Sequence, residues 1–323
     1  MRFFRGAFVV CSFLLAVPPS LAESYPQGPV AFLVPYAPGG TADIVARLIG
    51  AKMQERLGQA VVIENRSGGS EKVATEALVR ARPDGQTIAI LSNALAINQV
   101  SEPRPRYDAV KDLVPICRTI EIPFALLLNP SVPVTTFAEF IDYAKSHPGK
   151  LNYGHLGPGS PHFVIMEWFK KAAGLDIVAV PYRGAAPAYE ALVSGHVQVV
   201  ASGLGAATPF INAKQVRPIA ALTMKRPASL PDLPTIGELG LSDFKLTSWM
   251  GVFAPAGTPP EVISLLQGEC AAAMQDGQIK EKLLQLGLEP EYLDATQLGS
   301  FLHGEMQTWG AAAVLSNRSP TAK

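Results

Sequence analysis

Cysteine, histidine and net charge are all scarce in this chain, and each scarcity removes a class of function. Only three cysteines occur in 323 residues. Cys11 falls in an N-terminal apolar segment, which leaves Cys117 and Cys270. Two scattered thiols build neither a disulfide framework nor a Cys-x-x-Cys metal or redox pair. In an oxidising compartment they can pair, or each can stay a buried thiol. The five histidines (147, 155, 162, 196 and 303) never stand in His-x-x-x-His spacing, so neither metal nor cofactor is expected. Basic and acidic residues balance at 27 each, without the positive field that nucleic acid requires. No Walker loop is present, and Gly154, Gly157 and Gly159 reverse the dinucleotide spacing. The run Gly157-Pro-Gly-Ser-Pro161 lacks the Gly-x-Ser-x-Gly elbow of a hydrolase. No repeat of about 20–50 residues suggests a solenoid.

What is present starts with an address. Arg2 and Arg5, the apolar run Ala7–Val17 and the small-x-small site Ser20-Leu-Ala22 describe a secretory leader over residues 1–22. Its apolar core is shorter than the roughly 20 residues of a membrane span, and no later stretch is long enough either. Cys11 follows Val9-Val10 rather than a small residue, which argues against a lipid anchor. Cleavage leaves 323 − 22 = 301 residues with 25 basic and 27 acidic side chains, a length that favours two domains.

Strand and helix signals then alternate. Strands are predicted at Val30–Pro35, Ala60–Glu64 and Thr87–Ser92, with helices at Thr41–Leu57, closed by Gly58, and at Glu71–Arg80. Ile44, Leu48, Ala51 and Leu57 keep the helical period. This alternation predicts parallel sheets covered by helices on both faces. The proline-broken apolar run Pro115–Pro130 suits a crossover to a second domain. Helices follow at Phe137–Lys145, Phe163–Ala173 and Pro187–Val193. Strands follow at Leu151–Tyr153, Ile177–Val180, Val197–Ala201 and Ile219–Thr223. A second extended run, Leu246–Ala254, returns the chain to closing helices at Pro260–Met274 and Ile279–Leu286. Residues 23–122 and 252–323 would form lobe 1 and residues 123–251 lobe 2 of an α/β clamshell, with its cleft at the carboxyl ends of the strands.

The chemistry-bearing feature is a turn without charged side chains. Leu33–Val34 runs into Gly39-Gly40, and Thr41 stands where a helix N-cap belongs. A helix N-terminus carries about half a positive charge on unpaired N–H groups and accepts an anion. Similar strand–loop–helix units recur at Leu151–Ser160 and Ala179–Pro187, and Val199–Gly205 is a fourth strand end rich in small residues. Each terminus offers about 0.3–1 kcal/mol to an anion, whereas micromolar affinity needs about 8 kcal/mol. Direct amide hydrogen bonds and bridging waters must supply the rest. Asp43 is explained by the helix dipole alone, although a water on its carboxylate would reach the cleft. His155 and His162 flank the second loop, and either can touch a ligand or serve as a solvent-facing or capping imidazole.

Tyr36-Ala-Pro-Gly-Gly-Thr-Ala-Asp43, Glu64-Asn-Arg66, Pro83-Asp-Gly85, Val180-Pro-Tyr-Arg-Gly184, Leu230-Pro-Asp-Leu-Pro-Thr235 and Ala254-Pro-Ala-Gly-Thr-Pro259 stand in this order. Together they resemble the solute-binding proteins of tripartite tricarboxylate transporters, the Bug family. The resemblance covers essentially the whole chain after the leader. It implies a two-lobed periplasmic binding protein of the type II class with two crossover segments, binding a small carboxylate (a di- or tricarboxylate, acidic amino acid or aromatic acid). Membrane subunits of a transporter would be the partners and the chain a monomer without catalytic activity. The resemblance places Tyr36, Ala37, Gly39, Gly40, Thr41 and Asp43 in the first carboxylate loop. It places Gly157, Gly159 and Ser160 in the second, Arg183, Gly184 and Ser202 at the second-lobe border, and Ser92 and Asn93 at a first-lobe strand end. His155 replaces a customary serine, Phe163 a histidine, and Gln86 an aromatic. Ser67-Gly-Gly-Ser-Glu71 replaces Pro-Gly-x-Gly-Gly, so a Glu71 carboxylate near the cleft would repel a second ligand carboxylate unless it points outward. Two other readings remain: an orphan binder serving a signalling receptor, and a secreted α/β hydrolase using Ser160 with His162.

Overall fold

The computed structural model describes residues 25–101, 105–157, 160–182, 184–241 and 248–316. The expected leader, and the site residues Gly159 and Arg183, lie outside the described residues. The chain opens with β1 (Val30–Val34), α1 (Thr41–Leu57), β2 (Val61–Asn65), α2 (Lys72–Val79), β3 (Thr87–Ser92), α3 (Ala94–Ser101) and the long β4 (Leu113–Ile122). Next come β5 (Phe124–Leu128), α4 (Phe137–Ser146), β6 (Asn152–His155), α5 (Pro161–Ala173), β7 (Val178–Pro181), α6 (Ala185–Val193), β8 (Val199–Gly203), α7 (Leu204–Asn212) and β9 (Arg217–Ala221). The last group is β10 (Ser248–Pro255), α8 (Pro260–Gln275), α9 (Gly277–Gln285), β11 (Glu289–Leu293) and α10 (Ala295–Ser316).

These strands form two sheets, of order β11-β4-β10-β3-β1-β2 and β7-β6-β8-β5-β9. The expectation of wholly parallel sheets needs correction. Only β2-β1-β3 and β7-β6-β8 are parallel sets. β10 lies antiparallel between β3 and β4, β11 lies antiparallel to β4, and β5 lies antiparallel between β8 and β9. The reason is directional. A chain that leaves one sheet at the carboxyl edge of its strands enters the next sheet from that edge, and so runs against its new neighbours.

The register shows where those edges meet. β4 shares the direction of β1 and β3, so Ile122 ends it at the edge where Val34 and Ser92 also end. Ser248 pairs with Ile122, and Met250 pairs with Ser92. Across Pro123, β5 begins with Phe124 opposite Gly203, the end of β8, and Ala125 faces Ala221, the end of β9. A single residue therefore joins the carboxyl edge of one parallel set to that of the other. Leu204 N–H donates to the Pro123 carbonyl at 2.8 Å, and Leu222 N–H to Phe124, tying both second-sheet ends to this step.

Buried apolar side chains form a core that continues from Phe32, Ile90 and Phe253 in the first sheet through Ile122 and Phe124 to Tyr153 and Phe169 under the second. Helix α10 packs on α3, β4 and α5, and α5 in turn packs on β8 of the second sheet. Cys117 of β4 and Cys270 of α8 form a disulfide, which answers the question the sequence left open. Gly58 and Gly174 close α1 and α5 in the left-handed conformation, as their positions suggested. Four elements carried no signal strong enough to predict: α3, α7, β11 and α10.

Candidate functional site

In the first sheet β1 connects to β2 on one side and lies beside β3 on the other. The crevice between the loops after β1 and β3 is therefore a switch point, where open α/β sheets bind ligands. β6, β7 and β8 repeat the relation in the second sheet. Because the two carboxyl edges adjoin Pro123, the helix N-termini that follow β1, β3, β6 and β8 gather around one crossover.

The loop after β1 is built to present amides. Ala37, Gly39 and Gly40 are exposed, and Gly39 adopts φ +82, a left-handed conformation that suits glycine. Gly40, in extended conformation, is the N-cap of α1, with no side chain capping it. Thr41 is thus the first helical residue, a correction to its expected role as cap. The side chain that shapes the turn is Asp43. It accepts from Gly39 N–H at 3.0 Å, Asn65 Nδ2 at 3.0 Å and Arg47 Nε at 2.9 Å. The Arg47 guanidinium, followed by these other donors, holds the Asp43 carboxyl down to about 2. Asp43 is buried, with its oxygens committed to the loop, so it acts as a brace. The first-turn amides after Gly39 have no intrahelical acceptor and face the loop.

The loop after β6 has the same plan with different parts. Gly157 takes φ +104, again left-handed. Its N–H donates to His155 Nδ1 at 3.1 Å, and Ser160 N–H and Oγ donate to its carbonyl at 3.0 and 2.7 Å. Ser160 Oγ then accepts from Phe163 N–H as the N-cap of α5. Since Nδ1 of His155 accepts, its ring is neutral with the proton on Nε2, and burial pushes its pKa down. Ser160 gives its hydroxyl proton to a carbonyl and not to His162, so the nucleophile–base pair of the hydrolase reading is not assembled. Gly184 caps α6 in extended conformation, and Ser202 Oγ at the end of β8 accepts from Tyr189 Oη at 2.8 Å.

At the end of β3 the chain supplies its own carboxyl group. Glu71 is only 1 % exposed and points inward, and both of its carboxylate oxygens accept from Ser92 N–H, at 3.2 and 3.0 Å. The hydroxyls of Ser92 and Tyr36 also bond to it. Tyr36 is 37 % exposed as a residue, yet burial of its hydroxyl, followed by the Glu71 charge, pushes its pKa well above the usual phenol range. Burial likewise pushes the Glu71 carboxyl up. Ser92 is therefore occupied at its amide, whereas neighbouring Asn93 accepts from Ser248 Oγ at 3.0 Å through Oδ1 and leaves Nδ2 without a partner.

Two residues given little weight by the sequence belong here. One is Glu71. The other is His162, which is partly buried: its ring and that of Phe124 stand edge to face with centroids 5.2 Å apart, and its buried Nδ1 has no partner. Burial, with a smaller contribution from His155, lowers it to about 4. A lone histidine at a helix start behind a glycine loop was the only available signal. Among the described residues no cluster could hold a metal ion, and no helix is long and apolar enough to cross a membrane.

With this geometry in place, residues 45–317 match the family model described as the tripartite tricarboxylate transporter family receptor. The chain is 31 % identical over 306 residues to Protein BugT of Bordetella pertussis, covering 94 % of this chain and 93 % of that one. A solved structure from R. palustris, Rpa4515 with adipate, superposes with a TM-score of 0.84 at 34 % identity, covering 91 % of this chain and 99 % of that one. MatC of Rhodopseudomonas palustris with bound malate gives a TM-score of 0.78 at 30 % identity, covering 90 % and 100 %.

Proposed function

The chain belongs to the tripartite tricarboxylate transporter receptor family, and we propose that it captures a small organic carboxylate between two lobes for delivery to membrane subunits of such a transporter. Residues 23–122 and 252–323 belong to the first lobe and residues 123–241 to the second; residues 248–251, expected in the second lobe, open β10 in the first sheet, and residues 1–22 are the leader that sends the chain to the periplasm. The observation that carries the reading is the meeting of two carboxyl edges at Pro123, which gathers four helix N-termini around one crossover.

The ligand carboxylate rests on amides of Gly40 and Thr41 from the first lobe and meets the start of α5 from the second. Gly184 and Ser202 border it, with Tyr36 and Ala37 at the mouth; the expected contacts Gly159 and Arg183 lie outside the described residues. The orphaned Asn93 Nδ2 and His162 Nδ1 reach its far end. Solvated carboxylates exchange water for fixed peptide dipoles here, so no protein cation is needed as counter-charge. Closure follows from preferential affinity for the closed state, because both loops contact the guest only when the lobes approach. The protein acts as a monomer and carries no reaction. That the two relatives hold adipate and malate supports the carboxylate class. Calorimetry of the processed protein against mono-, di- and tricarboxylates, acidic amino acids and aromatic acids tests the reading. Micromolar binding of at least one acid is expected, and absence of heat and thermal shift across the panel would overturn it.

A further inference from the structure

Glu71 is a costly residue for the fold to keep. It sits at φ 75 directly after Ser70 at φ 51, two successive non-glycine residues in left-handed backbone. Such conformations persist only where the surroundings over-determine them, and they cluster at functional sites. The twist they impose directs the Glu71 side chain inward, under the loops after β1 and β3. There its partners are one amide and two hydroxyls, none of them a cation. A buried carboxylate without a cation is unfavourable, and it stands at the switch point of a lobe whose other features attract anions.

The position it fills is informative. Ser92 N–H, at the carboxyl edge of β3, is the amide that would meet a guest reaching across from the loop after β1, and both Glu71 oxygens take it. Tyr36, the first residue of the exposed loop, turns its hydroxyl to the same carboxylate. We infer that Glu71 is a specificity-determining residue: its carboxylate stands in for the second anionic group of a guest, so the protein selects acids with one carboxylate and an uncharged far end over diacids. This deepens the carboxylate reading above and rests on it. The expectation departs from the adipate and malate held by the two relatives. Asn93 Nδ2 and His162 Nδ1, both without partners, match an uncharged polar far end.

The test compares matched pairs that differ by one group: succinate with succinamate, glutarate with glutaramate, and adipate with adipamate. Affinities are measured by calorimetry on the wild-type protein, Glu71→Gln and Glu71→Gly, with thermal melting to confirm folding. Gln keeps the shape without the charge, and Gly also removes the backbone strain, so at least one variant is expected to fold. The wild type is expected to bind at least one half-amide tenfold or more tighter than its diacid. The variants are expected to narrow that ratio to within threefold, chiefly through a gain for the diacid. A merely structural role for Glu71 would weaken both members equally and leave the ratio unchanged, which overturns the inference. Tighter binding of every diacid by the wild type overturns it too, while leaving the carboxylate reading intact. Binding of no acid at all by the wild type overturns both.

Discussion

In the first lobe the glycine loop is held by ionic groups. Asp43, with Arg47 and Asn65, fixes Gly39, and Glu71 fills the β3 end beside it. In the second lobe the equivalent turn is held by neutral groups, with His155 accepting from Gly157, Ser160 capping α5, and Tyr189 paired to Ser202 at the β8 end. Both solutions reach the same left-handed glycine, but α1 starts without a side-chain cap whereas Ser160 caps α5. They differ in what they leave for a guest. A first lobe carrying two carboxylates behind its amides can accept one anion closely but resists another. A second lobe braced by uncharged groups places no such limit, so selection falls to the first.

That contrast can be broken most severely at Asp43. Asp43→Ala leaves Gly39 N–H and Asn65 without their acceptor, and is expected to cost about 3 kcal/mol of stability, the range for a charged hydrogen-bond acceptor. It is also expected to weaken carboxylate binding more than tenfold. Ser160→Ala removes a neutral cap and should cost only about 1 kcal/mol. Urea denaturation of both variants, with ligand titration, checks the pair; equal losses would mean that charge is not what separates the two loops.

Acid should separate the lobes next. The His162 pKa in the folded protein, lowered to about 4, lies below its unfolded value, so the unfolded chain binds the extra proton first. Its contribution is present above about pH 6.5 and is lost as pH falls toward 4; His155 shifts in the same direction. Asp43, lowered to about 2, keeps its contribution until pH falls below about 4. Glu71 is raised by burial, so its protonation on acidification favours the folded form. Hydrogen exchange between pH 7 and 4 should therefore show the start of α5 opening while the start of α1 holds. Simultaneous loosening would contradict the assignment. The smallest effect is at the β8 end, where Tyr189→Phe is expected to cost about 1 kcal/mol by chemical denaturation, one neutral hydrogen bond, without altering the first loop.

Local chemistry decides how much of this could be read from sequence. β1, its Pro-Gly-Gly turn and α1 carry period and turn signals within a few residues, and β3 is predicted with its observed ends. α3 was hidden because Ala94–Ile97 resumes the apolar run of β3 after only Ser92-Asn93. α7 contains Pro209, and α10 contains Gly299, Gly304 and Gly310, residues that argue against helix when judged singly. The antiparallel entries of β5 and β10 depend on partners far away in the chain, beyond any local pattern. Glu71 was legible as a departure, but the sequence offered both outward and inward orientations. Two left-handed residues decide between them, and nothing in Ser-Gly-Gly-Ser-Glu announces that twist.

The bond between Cys117 and Cys270 spans a sequence separation of 153 and encloses every strand of the smaller sheet. That half of the protein is thus a covalent insertion, looped out of a ring locked shut within its partner. A cut anywhere in its backbone leaves both fragments tethered, and a nicked chain keeps its two halves as one molecule for as long as the sulfurs stay oxidised.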